Sequence, residues 1–254
     1  MTHTQQPKVY ITSHQASRVV SSAFAQGCNG QIVPARKLLD GSAVVYGILR
    51  GTGDIIKECS IVGREFFHID HGYFCRQPKT GIYAGYYRIT RNALQVTTPP
   101  DQPPDRFERL DVRLRPWRRT GSYVLVCPSS QIWGNYVGVD SKVWTDAVVR
   151  EIALHTDRPI IIKQKDEIPL KDALNEAWCV VVHSSNAAVD SVAAGIPAIV
   201  TGPSAVLPVC WGWGNIEQPY WPDREQWAWN LAYNQFNLNE MRDGTAWRLL
   251  NGSR

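Results

Sequence analysis

Apolar residues along this chain fall in short runs that stop at polar turns. Lys8-Val-Tyr-Ile-Thr12, Ser42 to Leu49 and Glu65 to Asp70 read as strands in the first half. Gly121 to Cys127, Pro159 to Lys163, Ala177 to Val182 and Ala198 to Thr201 read as strands in the second. Helical stretches lie between them. Ser13 to Gly27 has a Ser cap and a Gly stop, and Arg50-Gly-Thr-Gly53 turns into a helix over Asp54 to Ile61. Ser141 to Thr156 carries Val143, Ala147, Val148, Ile152 and His155 on one stripe, and Leu170 to Glu176 is a short helix. Strands alternating with helices at this spacing imply parallel βαβ units.

Pro99-Pro-Asp-Gln-Pro-Pro-Asp105 is a connector, followed by the basic segment Arg113-Leu-Arg-Pro-Trp-Arg-Arg119. That segment reads as a solvated linker, with a polyanion contact as the alternative. From Asp223 the pattern changes to helices, Arg224 to Phe236 and Asn239 to Gly244. The expected architecture is α/β, with two small Rossmann-like lobes whose parallel sheets face each other across a cleft. The expected domains are residues 1–115, residues 120–222, and C-terminal helices over 223–254 that cross back onto the first lobe.

The most informative stretch is Cys179 to Val200. An apolar run ends abruptly in His183-Ser184-Ser185-Asn186, a helix of small residues follows, and Gly195-Ile-Pro197 leads into the next run. Hydroxyls and an amide at a helix N-terminus suit an anion, and they also suit an ordinary N-cap. The other strand ends add Gly51, Ser129 with Ser130, and Lys163, an ammonium that closes an apolar strand. Asp190, one helical turn after Asn186, is placed to accept hydrogen bonds from a ribose or to pair with a nearby base.

In the first half, Asp70-His71-Gly72-Tyr73 ends a strand. A carboxylate there is a candidate general base, with His71 as its rival and a backbone-satisfied turn Asp as the plain reading. Tyr73, Arg88, Arg91 and Asn92 are acceptor-groove candidates, and the stretch Gly85 to Asn92 that holds the last three reads alternatively as an exposed hairpin.

The net charge of +4 and pI near 8.7 permit an anionic partner without requiring one. Six scattered cysteines show no zinc spacing, and Cys127 and Cys179 read as buried hydrophobes. The ten tryptophans read mainly as core. No secretory pattern or membrane-length run is visible, which points to a cytoplasmic protein without membrane contact. There is no P-loop, no dinucleotide fingerprint, no G-x-S-x-G and no D-x-D, so no carboxylate-held metal is expected.

The second half resembles the nucleotide-sugar-binding half of GT-B glycosyltransferases, in particular the capsule and sialic-acid types. Ser184-Ser185, Asp190 and Gly195-Ile-Pro197 carry the likeness, and Asp70-His71-Gly72 looks like a weakened acidic–acidic–Gly motif. Lys163-Gln164-Lys165 stands where those families have His-Pro, and the chain is short for the family. The resemblance implies a metal-independent, inverting transferase without a tightly bound cofactor. Its co-substrate would be a nucleotide-sugar, with a UDP-sugar as the leading donor. The donor would lie against Gly51, Ser129, Ser130, Lys163, His183, Ser184, Ser185, Asn186 and Asp190, and Asp70 would be the base. The chain also looks like phage transferases that glycosylate hydroxymethylated pyrimidines in DNA, which would place it in the host cytoplasm. Alternatives are a transferase acting on a surface glycan, a sugar-nucleotide epimerase or hydrolase, and a non-catalytic nucleic-acid-binding module.

Overall fold

The computed structural model describes residues 5–76, 83–165 and 167–252. The chain divides into two compact units: residues 1–94, 103–111 and 230–254 form unit 1, and residues 95–102 and 112–229 form unit 2. Each is an α/β unit built on its own sheet of mainly parallel strands.

Unit 1 begins with β1 (Lys8–Ile11), α1 (Gln15–Cys28), β2 (Gln31–Pro34), β3 (Ala43–Tyr46), α2 (Thr52–Val62), β4 (Phe66–His71), β5 (Tyr87–Arg91) and the short α3 (Asp105–Glu108). β2, β1, β3 and β4 are parallel neighbours in that order, and β5 closes antiparallel on β4. The sequence pattern missed β2, a four-residue edge strand that ends in proline. It also placed the end of α1 too early. Gly27 is not a stop: a β-carbon there would collide with the Met241 carbonyl, so this glycine permits close packing inside the helix. The stop is Asn29, in the left-handed conformation at φ 50°, a role asparagine fills after glycine.

Unit 2 holds β6 (Tyr123–Cys127), α4 (Gln131–Val137), α5 (Ser141–Ala153), β7 (Ile160–Ile162), α6 (Leu170–Ala173), β8 (Ala177–Val182), α7 (Ala187–Ala193) and β9 (Ala198–Val200). The sheet order is β7-β6-β8-β9, all parallel. Every residue of β8 is buried, which explains its unbroken apolar run. The stripe expected on α5 holds at Val148 and Ile152, whereas Val143 and Ala147 are exposed. Trp178, Trp211 and Trp221 form one cluster, with ring centroids 5.5–6.1 Å apart.

The basic segment is more than a linker, although Arg113, Arg115, Pro116 and Arg119 are exposed. It straps the α7–β9 turn: the Arg115 and Arg118 amides donate to the Ala193 and Gly195 carbonyls at 2.9 and 2.7 Å. The Arg118 guanidinium donates to the carbonyls of Leu174, Asn175 and Ala177, and Arg119 lies over the Trp221 ring. Gly195, at φ 80°, has the Pro116 carbonyl where a β-carbon would sit. Glycine in this motif is therefore demanded by the strap as well as by the turn.

The C-terminal elements are α8 (Glu225–Ala232), β10 (Gln235–Phe236), α9 (Leu238–Arg242) and α10 (Thr245–Leu250). The single helix expected over 224–236 ends early because Gln235 and Phe236 pair antiparallel with Arg88 and Tyr87 of β5. Within unit 1, Met241, Ala246 and Trp247 pack with Phe24 and Phe67 on the α1 face of the sheet.

Candidate active site

In unit 2, β6 connects to β7 on one side, and β8 returns on the other. The crevice between the carboxyl ends of β6 and β8 is thus a topological switch point, where open α/β sheets bind ligands. The loops that meet there are Pro128-Ser129-Ser130 and His183-Ser184-Ser185-Asn186. Ser130 caps α4 by accepting from the Trp133 amide. The Ser129 carbonyl accepts from the Ser141 hydroxyl at 2.9 Å. The Trp133 indole N–H crosses to the Ser184 hydroxyl at 3.0 Å, tying the two loops together.

Ser184 and Ser185 differ in what they can offer a ligand. Ser184 is buried, and its Oγ lies between Trp133 Nε1 and His183 Nδ1, the latter at 3.2 Å. Burial holds the His183 imidazole below its ordinary pKa, which favours its neutral form. Ser185 is half-buried, and its Oγ accepts from the Ala187 amide at 3.2 Å. Its own proton remains available to donate. Gly202 fixes the imidazole from the far side: a β-carbon there would stand 2.5 Å from His183 Nε2.

Gln95 braces the same turn. It is buried, donates to the Ser184 carbonyl at 3.1 Å, and leaves its Oε1 without a partner among the described residues. The sequence reading missed it, since a lone Gln carries no pattern. Asn186 and Asp190 are half-buried at the start of α7. Lys163 follows β7, where its Nζ donates to the Gln164 carbonyl at 3.0 Å, and its charge is felt at the Cys127 thiol. The loops after β6, β7 and β8 therefore bring Ser129, Ser130, Lys163, His183, Ser184, Ser185, Asn186 and Asp190 to one edge of unit 2. Gly51 belongs to unit 1 and caps α2 with φ 92°.

Unit 1 carries the acidic candidate. Asp70, near the end of β4, pairs across the ladder with Arg88 of β5, and Arg88 pairs in turn with Gln235 of β10. The Asp70 carboxylate accepts from the Arg88 guanidinium at 2.8 Å and from the His71 amide at 2.8 Å. Its side chain is 27% exposed, against 4% for Arg88. Burial works to raise its pKa, but the Arg88 charge, then the His68 and His71 imidazoles and the His71 amide, together outweigh burial and hold it below the usual carboxylate range. His68, two residues earlier on the same face, is fully buried and held neutral by that burial, with a pKa of about 4. Gln235 Oε1 accepts from the amides of Tyr73 and Phe74 at 2.9 and 2.8 Å, so the chain after Asp70 is pinned.

The hairpin read over Gly85 to Asn92 is a buried strand. Arg88 and Tyr73 are buried, and Arg91 pairs with Glu65. The Asn92 side chain accepts from the Phe66 amide at 2.9 Å. Of the four acceptor candidates, three are thus engaged in holding β4 and β5, and Tyr73 packs beneath Arg88 at 6.0 Å from its guanidinium carbon. His71 is exposed at the strand end. Among the described residues no group of His, Cys, Asp and Glu is arranged to hold a metal ion. No described helix is long and apolar enough to cross a membrane.

No family model and no curated protein sequence matches this chain. Its architecture does match solved structures. A Thermosulfurimonas dismutans KpsC, described as a beta Kdo 2,4 transferase, superposes with a TM-score of 0.54 at 12% identity, over 92% of each chain. The fold is GT-B-like. A second structure, T. dismutans KpsC described as a beta Kdo 2,7 transferase, gives 0.49 at 12% identity, covering 98% of this chain and 100% of that one. In the GT-B-like frame unit 2 corresponds to a Rossmann half whose switch point carries the Ser-rich turn. Unit 1 is the half that presents Asp70 at a strand end.

Proposed function

We propose that the protein is a metal-independent glycosyltransferase that moves a sugar from a nucleotide-sugar to an acceptor hydroxyl. The observation that carries this reading is the Ser-rich turn at the switch point of unit 2, within a fold matched over nearly the whole chain by a solved Kdo transferase. The Ser185 hydroxyl, the amides at the start of α7 and Lys163 would hold the donor diphosphate or phosphate. Ser184, His183, Trp133 and Gln95 would hold the turn in shape. Asp70, kept ionised by Arg88, would take the proton from the acceptor hydroxyl, and a single displacement would then invert the anomeric centre.

The DNA-acceptor version loses part of its basic set. Arg88 is buried against Asp70 and Arg118 is taken up by backbone carbonyls, whereas Arg113, Arg115 and Arg119 of the basic segment remain exposed. A non-nucleic acceptor is the favoured form, in keeping with a solved neighbour described as a Kdo transferase. The test is nucleotide release from UDP-, GDP- and CMP-sugars, with and without glycan or hydroxymethylated-DNA acceptors. Acceptor-dependent release is expected. Release without any acceptor would favour a hydrolase, and tight binding without turnover a non-catalytic module.

A further inference from the structure

Unit 1 has a second polar feature at the sheet edge that carries Asp70. β1, β2, β3 and β4 are parallel, so their carboxyl ends share one edge. The chain passes from β1 to β2 on one side and then to β3 on the other, which makes the β1–β3 crevice the switch point of this sheet. An open cavity of about 590 Å³ lies over the loops that follow these strands. Thr12, Ser13, Arg18, Arg36 and Arg50 supply its polar lining, and no carboxylate lines it.

The three arginines come from three separate elements. Arg18 sits in the first turns of α1 and folds back to donate to the Ser13 carbonyl at 2.7 Å. That helix start has no acidic residue, so the cation faces the positive end of the helix dipole. Arg36 follows β2 and Arg50 follows β3. Gly51 brings their loops together: the Ala35 carbonyl stands 2.7 Å from where its β-carbon would be. Among the described residues none of the three guanidinium groups pairs with a carboxylate. Three like charges gathered around one hollow repel each other, and a bound anion removes that repulsion. Guanidinium forks match phosphate oxygens two at a time. The basic track continues past Arg18 along α1 into a second hollow of about 420 Å³ that reaches Arg242.

We propose that this cavity binds a phosphate group carried by the acceptor, a phosphorylated hydroxyl compound whose reacting end extends along the same sheet edge toward Asp70. The acceptor assignment rests on the transferase reading above, while the phosphate site itself does not.

The test is calorimetric titration of the full chain with inorganic phosphate, glycerol 3-phosphate and glucose 6-phosphate, alongside titration with nucleotide-sugars. The variants are Arg36→Gln/Arg50→Asn and, in unit 2, Ser185→Ala, with circular dichroism to verify folding. Asn is chosen at position 50 because Arg50 has φ 61°, a conformation Asn tolerates. We expect a phosphate ester to bind more tightly than inorganic phosphate. The double arginine variant should lose at least tenfold in ester affinity and keep its nucleotide-sugar affinity. Ser185→Ala should show the reverse. Absence of phosphate binding at millimolar concentration, or loss on Ser185→Ala alone, would overturn the site. Esters that bind no better than inorganic phosphate would overturn the acceptor assignment. Arginine-dependent phosphate binding in a protein that binds no nucleotide-sugar would uphold the site and remove the transferase reading.

Discussion

Asp70→Asn is expected to lower sugar transfer by about 10²–10⁴-fold, the range for losing a positioned general base, with donor affinity unchanged. The substitution is nearly isosteric, but the His71 amide and Arg88 use different carboxylate oxygens. Asn keeps only one of the two bonds and removes the carboxylate charge that faces the buried Arg88, so folding must be measured alongside activity. A drop in transfer with an unaltered far-UV spectrum and unaltered nucleotide-sugar binding separates chemistry from folding. The pH profile adds a second check. Arg88, the His68 and His71 imidazoles and the His71 amide depress the Asp70 pKa against the opposing effect of burial. The carboxylate is therefore already ionised above the ordinary carboxylate range. Activity should stay level from neutral pH down through that range and fall only below it, as the carboxylate takes up a proton. The low pKa also makes Asp70 a weak base. If the product retains the donor's anomeric configuration, Asp70 would be reassigned from base to nucleophile. Unchanged transfer in Asp70→Asn would remove it from the mechanism.

Arg106→Ala should destabilise unit 1 by about 3–5 kcal/mol, because it leaves a partly buried partner charge and two carbonyls without their donor. Arg106 is buried and donates to the Ala232 carbonyl, the Gln235 carbonyl and the Glu240 carboxylate at 3.1, 2.9 and 2.7 Å. Its guanidinium also lies 5.0 Å from the Phe236 ring centroid and 5.5 Å from that of Tyr233. One side chain thus joins α3, the end of α8, β10 and α9. The same strand β10 positions Gln235 against the amides of Tyr73 and Phe74, so the damage should reach the chain following Asp70. Urea unfolding of wild type, Arg106→Ala and Arg106→Lys measures the effect. Lys restores the charge without the planar fork, and it should recover only part of the loss. A change under about 1 kcal/mol for Arg106→Ala would be the size of an exposed pair and would contradict this role.

Much of the fold could be read from the chain because its strands end where polarity changes. The run Ala177 to Val182 stops at His183 because β8 is buried on both faces until the turn begins. The elements that escaped lack such a signal. β2 is four residues long at a sheet edge, and α4 contains Gly134, whose missing β-carbon accommodates the Val139 carbonyl. β10 was hidden in a helical pattern, since Gln235 and Phe236 become a strand only by pairing with β5. Tertiary contact overrides local preference there.

The site divides the same way. The serines after β6 and β8 announce themselves by position, whereas Gln95 acts through a contact 89 residues away. Arg88 looked like a surface cation until the ladder register placed it opposite Asp70. The arginines of the 590 Å³ cavity are 14 to 32 residues apart, and only the strand order gathers them.

The most direct test of the central claim is nucleotide-sugar affinity, measured by calorimetry in wild type and Ser185→Ala. A hydrogen bond to a charged group contributes about 1.5–3 kcal/mol, so the variant should bind its donor roughly 10–100-fold more weakly at unchanged fold. If no nucleotide-sugar binds the wild-type protein, or if Ser185→Ala binds as tightly as wild type, the donor site does not lie at this turn and the transferase account fails.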